Sequence, residues 1–173
     1  MNTIKTQQTP IILDIEASGF GRGSYPIEIG VTMSDGGAHC YLIQPCEDWT
    51  HWEPEAEKLH RLTRETVVRF GMDAGYVARQ LNKFLEGQTV YSDAWSYDSS
   101  WLALLFERAG ILQRFKLEHL IKITTEAQTE IWEATRERVI EESGLKRHRA
   151  SADARIIQAT WLRTRADKQA ASL

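Results

Sequence analysis

Cysteine is nearly absent. Only Cys40 and Cys46 occur in the 173 residues, too few for a disulfide framework. The gap between them matches no usual zinc spacing, even with His39 beside the first, so both are read as ordinary reduced thiols. Long hydrophobic runs are missing too. None approaches the roughly 20 residues of a membrane-spanning helix, and the opening MNTIKTQQTP has no apolar stretch like that of a secretory signal. No repeat, low-complexity tract or Pro/Gly/Ser-rich linker divides the chain. Basic charge is not in excess: the formal charge of −3 excludes a general cationic coat for gripping nucleic acid. A local basic groove stays open, because net charge does not say where charges lie. These absences lead to the expectation of a soluble, cytoplasmic protein with no membrane contact.

What is present is an ordinary globular composition, 42% hydrophobic and 26% charged, far from that of a disordered chain. The length suits one domain, expected over residues 10–165 between short tails at 1–9 and 166–173. Ile11 to Ile15 is a short apolar run ending in acidic residues, as in a buried central strand. Pro26 to Thr32 alternates, and Ser34-Asp35-Gly36-Gly37 is a tight-turn signal before a third strand, Ala38 to Gln44. The second half reads as helices around one short strand. Helices are expected at Asp73 to Leu85, Ser99 to Ala109, Thr124 to Glu142 and Ser151 to Arg165, with a strand at Thr89 to Ser92. Strands first, then a strand alternating with helices, imply an α/β fold with a mixed sheet flanked by helices.

Three segments carry candidate chemistry. In Leu13-Asp14-Ile15-Glu16 alternation sends both carboxylates to one face of a strand end, about 7 Å apart. Left unpaired they repel, and a hard divalent cation such as Mg²⁺ or Mn²⁺ would relieve that; a solvated strand end is the plainer reading. Asp98 falls where a helix begins, so it reads equally as a helix cap or a chemical group, and Asp93 competes for the same role. His148 and Asp153 flank the start of the last helix, where Ala150, Ala152 and Ala154 permit close packing. His148 reads either as a surface residue of a basic stretch or as a general base, since an ordinary imidazole titrates near neutral pH.

Taken together and in order, these segments resemble the DEDDh group of the exonuclease superfamily, named for four acidic residues and a histidine. DIEASGF is similar to its first motif, Asp-x-Glu-x-(Ser/Thr)-Gly, and YPIEIGV to the strand that follows. Leu59-His60-Arg61-Leu62-Thr63 resembles a short link typical of the family. YDSSWL is similar to the second motif, with an aromatic residue before the metal-binding Asp, and HRASADA matches the third, His-x-Ala-x-x-Asp-Ala, position by position. In one place the chain departs: many members carry His-Asn shortly before the second-motif Asp, where this chain has Asp93-Ala94.

The resemblance implies an RNase H-like fold with a central mixed five-stranded sheet. It implies a 3′-to-5′ exonuclease acting on single-stranded nucleic acid with a free 3′ end and releasing nucleoside 5′-monophosphates. Asp14, Glu16, Asp98 and Asp153 would hold two Mg²⁺ or Mn²⁺ ions, and His148 would take a proton from water. Ala17, Ser18 and Gly19 would lie against the terminal nucleotide, with Phe20 near its base. Compact relatives also pair as homodimers. DNA is slightly preferred over RNA because basic segments suited to structured RNA are lacking. The other readings are a 3′-to-5′ exoribonuclease and an inactive RNase H-like binding module. Beyond the motifs, Gly21-Arg22-Gly23 is read as a polar loop, and one of the loop residues Trp49, Trp52 and Trp95 is expected in the substrate groove. Thr135 to Arg138 is read as a solvated helix face.

Overall fold

The computed structural model describes residues 8–170, with side chains up to 166; the rest of the expected tails, 1–7 and 171–173, lie outside the described residues. Three strands come first: β1 (Ile11–Ala17), β2 (Pro26–Thr32) and β3 (Ala38–Leu42). They form an antiparallel meander. After the helices α1 (Pro54–His60), α2 (Arg64–Phe70) and α3 (Ala74–Leu85), strand β4 (Thr89–Ser92) pairs parallel to β1. Helix α4 (Trp95–Ala109) then leads to β5 (Lys116–His119), parallel to β4. The sheet order is β3-β2-β1-β4-β5, a mixed five-stranded sheet. The chain closes with a 3-10 turn (Leu120–Ile123), α5 (Glu126–Glu130), α6 (Trp132–Ser143) and α7 (Ala150–Ala170). None of the described helices is long and apolar enough to cross a membrane.

Strand alternation divides the core between two faces. Leu13 and Ile15 of β1 join Ile27, Ile29, Val77, Leu81 and Leu105. Ile12 points the other way, to Ala154, Ile157 and Trp161 of α7. Asp14 and Glu16 share the face of Ile12, so α7 covers the face on which the paired carboxylates stand.

The close fit of α7 depends on Gly30. Register places Gly30 opposite Asp14, and a Cβ there would lie 2.2 Å from the carbonyl carbon of Ala150. Only a glycine lets the helix start rest directly on the strand. Gln158 ties the next turns down by donating to the carbonyls of Pro10 (2.8 Å) and Met33 (2.9 Å).

Several boundaries differ from those expected. The single helix expected over Thr124 to Glu142 is two, broken at Ile131 (ψ 3°). Gln128 anchors the first of the two: it closes a capping box with Thr125, and its amide donates to Thr164 Oγ1 of α7 at 3.1 Å, a tertiary tie that periodicity does not reveal. Helix α4 starts four residues before the expected Ser99, and β5, α1 and α2 have no counterpart among the expected elements.

Candidate active site

Two parallel strands bring the first carboxylates together. Because β1 and β4 run the same way, their carboxyl ends lie side by side, and the chain leaving β4 through Asp93 enters α4 beside β1. Asp98 sits in the first turn of α4, where its neighbour Ala94 is the cap residue, without a side-chain cap bond. Asp98 is therefore not the cap. Asp98 is almost fully buried (1% exposed), and its Oδ2 accepts a hydrogen bond from the buried Ser92 hydroxyl. Ser92 Oγ also accepts the Ala94 N–H at 3.0 Å.

The start of helix α7 and the turn before it supply the remaining groups. His148 has a left-handed backbone (φ 64°), uncommon for a residue with a side chain, and its N–H donates to Asp153 Oδ2 at 2.7 Å. This turn sets the imidazole beside the strand carboxylates: ligand atoms of Glu16, His148 and Asp153 lie within 4.8 Å of one another. The structure thus brings Asp14, Glu16, Asp98, His148 and Asp153 into one pocket of about 330 Å³, together with Asp93.

Crowding dominates the electrostatics. Burial raises Asp14 well above the usual carboxylate range, and the charges of Asp98, Glu16, Asp153 and Asp93 raise it further. Glu16 is pushed up to about 7 by burial, then by Asp153 and Glu28, with Arg149 opposing. Asp98 reaches about 8, again chiefly through burial; the Ser92 hydrogen bond lowers it, and Asp93 and Glu16 raise it. Burial also raises Asp93, partly offset by Arg136. Asp98 Oδ1 and Asp153 Oδ1 are buried without a hydrogen-bond partner among the described residues. Buried carboxylates that repel one another, with two orphaned oxygens, fit a hard divalent cation.

Of the residues expected against the terminal nucleotide, Ala17, Gly19 and Phe20 line the pocket while Ser18 does not; Ala17 and Ser18 are buried and Phe20 is 54% exposed. Gly19 needs its freedom: at φ 154° a Cβ would lie 2.4 Å from the Glu53 carboxyl carbon. Glu53 Oε2 accepts the Phe20 N–H (3.1 Å), Glu53 N–H donates to the Ser18 carbonyl (2.8 Å), and Ser18 Oγ lies 3.1 Å from His51 Nδ1. The Phe20 ring meets Tyr97 edge-on at 5.5 Å and tilts against Trp101 at 6.2 Å. His60, from the Leu59-to-Thr63 link, also lines the pocket. Its Nδ1 accepts the Leu62 N–H at 3.0 Å, and burial lowers its pKa.

Other expectations change. The tryptophan lining the pocket is Trp101 from a helix, not one of the loop tryptophans; Trp49 is buried against Tyr25, and Trp95 opens α4 with its indole N–H on the Leu117 carbonyl. Thr135 to Arg138 is not simply a solvated face, since Thr135 is 1% exposed and Arg136 lines the pocket. Gly21-Arg22-Gly23 is an exposed turn. Ser92, Glu28 and Arg136 also belong to the site or its support, beyond the residues of the three motifs. A serine six residues before the second-motif Asp was a usable signal for Ser92; nothing local marks Glu28 or Arg136.

Fold and pocket together define an α/β domain with a carboxylate-rich site at the carboxyl ends of two parallel strands. No protein-family model matches the chain, and no curated protein matches its sequence. Solved structures do match. Exonuclease I of E. coli in complex with a dA16 oligonucleotide is 15% identical, with a TM-score of 0.66 over 94% of this chain and 42% of that one. A further exonuclease I structure, one that suggests how processivity is achieved, has a TM-score of 0.68 at 15% identity over 94% and 42%. Exonuclease I from Methylocaldum szegediense has a TM-score of 0.65 at 15% identity over 91% and 41%. The chain spans less than half the length of these exonucleases. At such identities the likeness shows the fold, which is the expected RNase H-like one.

Proposed function

We propose that this protein is a metal-dependent 3′-to-5′ exonuclease that removes nucleoside 5′-monophosphates from single-stranded nucleic acid, with DNA slightly preferred. One observation carries the reading: Asp14, Glu16, Asp98, His148 and Asp153 meet in one pocket, beside an exposed aromatic residue, Phe20. Structural neighbours that hold dA16 and dT13 oligonucleotides support DNA as the substrate.

Asp14, Glu16, Asp98 and Asp153 would hold Mg²⁺ or Mn²⁺, two ions on this reading, which when bound activate water and offset charge on the phosphate and the leaving 3′ oxygen. His148 takes the proton from the attacking water on an imidazole nitrogen. The Asp153 carboxylate fixes the turn that aims that ring. Phe20, backed by Tyr97 and Trp101, offers a face for the terminal base, since stacking accepts any base. Gly19 lets the backbone approach the terminal sugar. The water oxygen joins phosphorus as the bond to the 3′ oxygen breaks, so the phosphate leaves on the released nucleotide and the shortened strand keeps a 3′ hydroxyl. A homodimer belongs to the same proposal and is read by light scattering.

The test is digestion of 5′-labelled single-stranded DNA and RNA of one sequence with Mg²⁺, Mn²⁺ or EDTA, beside Asp14→Asn. A ladder shortening from the 3′ end, lost with EDTA and in the variant, is expected, and the faster substrate separates a DNase from an RNase. Absence of metal-dependent shortening of either strand overturns the proposal in favour of a binding module.

A further inference from the structure

We propose that Arg136 grips a backbone phosphate of the bound strand close to the bond that is cut. The proposal rests on the exonuclease reading and extends its site to α6. Thr135 and Val139 bury one side of this helix, and Arg136 beside them is drawn under cover, its side chain only 21% exposed. It lines the same pocket as Asp93, His148 and Asp153. Its Nε is buried with no hydrogen-bond partner among the described residues, although a buried donor is normally paired. The ion pair it makes with Glu133 is loose: the atoms are 3.8 Å apart and the Glu133 side chain is 77% exposed, so water screens it.

Asp93 lies close enough to Arg136 for the guanidinium to offset part of its burial. Asp93 also acts on Asp14 and Asp98. Asp93, in the same pocket, thus feels both the cation and those two carboxylates. The loose pair with Glu133 and the unpartnered Nε leave its fork for another anion. A planar guanidinium with a free N–H matches a phosphodiester, and the fork can engage two oxygens at once. Arg147, exposed on the same rim, is too solvated to discriminate one linkage.

The experiment measures binding of a 5′-fluorescent single strand with a free 3′ end by anisotropy, with Ca²⁺ replacing Mg²⁺ to suppress cleavage, over a range of salt. Arg136→Gln should weaken binding about tenfold and flatten the plot of log affinity against log salt by about 0.7, the signature of one single-strand phosphate contact. Arg136→Lys should keep the slope, because it keeps the charge. A second arm uses the unaltered protein: a neutral methylphosphonate at the linkage next to the scissile one should reproduce the loss, and should add nothing in Arg136→Gln. An unchanged slope in Arg136→Gln, or full affinity for the methylphosphonate strand, overturns the assignment. Failure of the unaltered protein to bind any strand with a free 3′ end would instead defeat the exonuclease reading itself.

Discussion

Glu28 and Arg149 join the sheet to the helix that carries the third motif. The fully buried Glu28 carboxylate accepts hydrogen bonds from Arg149 Nε at 3.1 Å and Nη2 at 2.6 Å, and from the Ala150 N–H at 2.8 Å. Glu28 lies directly across from Glu16 in the β1–β2 ladder. One buried anion therefore pins the start of α7, between His148 and Asp153, where a helix amino terminus favours negative charge.

Replacing that anion should loosen the site from behind. Glu28→Ala leaves the Ala150 N–H unpaired and Arg149 without its partner, although the half-exposed arginine can turn to water. A loss of about 2–3 kcal/mol is expected, read as a fall of roughly 5–10 °C in thermal midpoint. An unchanged midpoint would show that the pair contributes nothing net.

Gly30→Ala tests the same junction sterically. The added methyl would meet backbone atoms of Ala150 and Ser151 at 2.2–2.4 Å, and backbone cannot swing aside as a side chain can. Displacing α7 moves His148 and Asp153 together, so activity should drop about 100-fold, the scale of a misplacement near 1 Å. Nuclease turnover close to that of the unaltered protein would refute the claim that this contact positions the site.

His148 stands within metal-ligand reach of Glu16 and Asp153, so its two possible duties need separating. As a proton acceptor, its loss in His148→Gln should lower kcat by about 10²–10⁴-fold while Mn²⁺ affinity, followed by electron paramagnetic resonance, holds. A matching collapse of Mn²⁺ affinity would make it a ligand instead.

Stability should depend on pH differently with and without metal. Glu16 and Asp98 are raised in the folded protein to about 7 and about 8, above the roughly 4 of an unfolded carboxyl. A raised carboxyl stabilises the fold fully below its unfolded value and loses that contribution as pH climbs through the folded one. The EDTA-treated protein should therefore lose stability between about pH 5 and 8, and saturating Mg²⁺ should restore most at the upper end. Parallel melting curves with and without Mg²⁺ across that range would contradict a carboxylate metal site.

Local chemistry made much of this protein legible in advance. Alternation across Leu13 to Glu16 was enough to put two carboxylates on one face, because a strand's period of two holds whatever surrounds it. The spacing within HRASADA likewise set His148 and Asp153 around one helix start. Boundaries were less secure. The helix expected after Thr124 breaks at Ile131, and the tie from the buried Gln128 amide to Thr164 joins groups too far apart in the chain for periodicity to show.

The identity of the acidic and basic groups, the two strand patterns and the helix that starts near His148 were thus determined by the sequence itself, since propensity, alternation and capping act over a few residues. Tertiary structure alone decided that Asp98 is a buried partner of Ser92 rather than a cap, that Trp101 and not a loop tryptophan lines the pocket, and that Arg136 turns inward. Each depends on groups far apart in the chain being packed together, and burial and electrostatic crowding have no local signature.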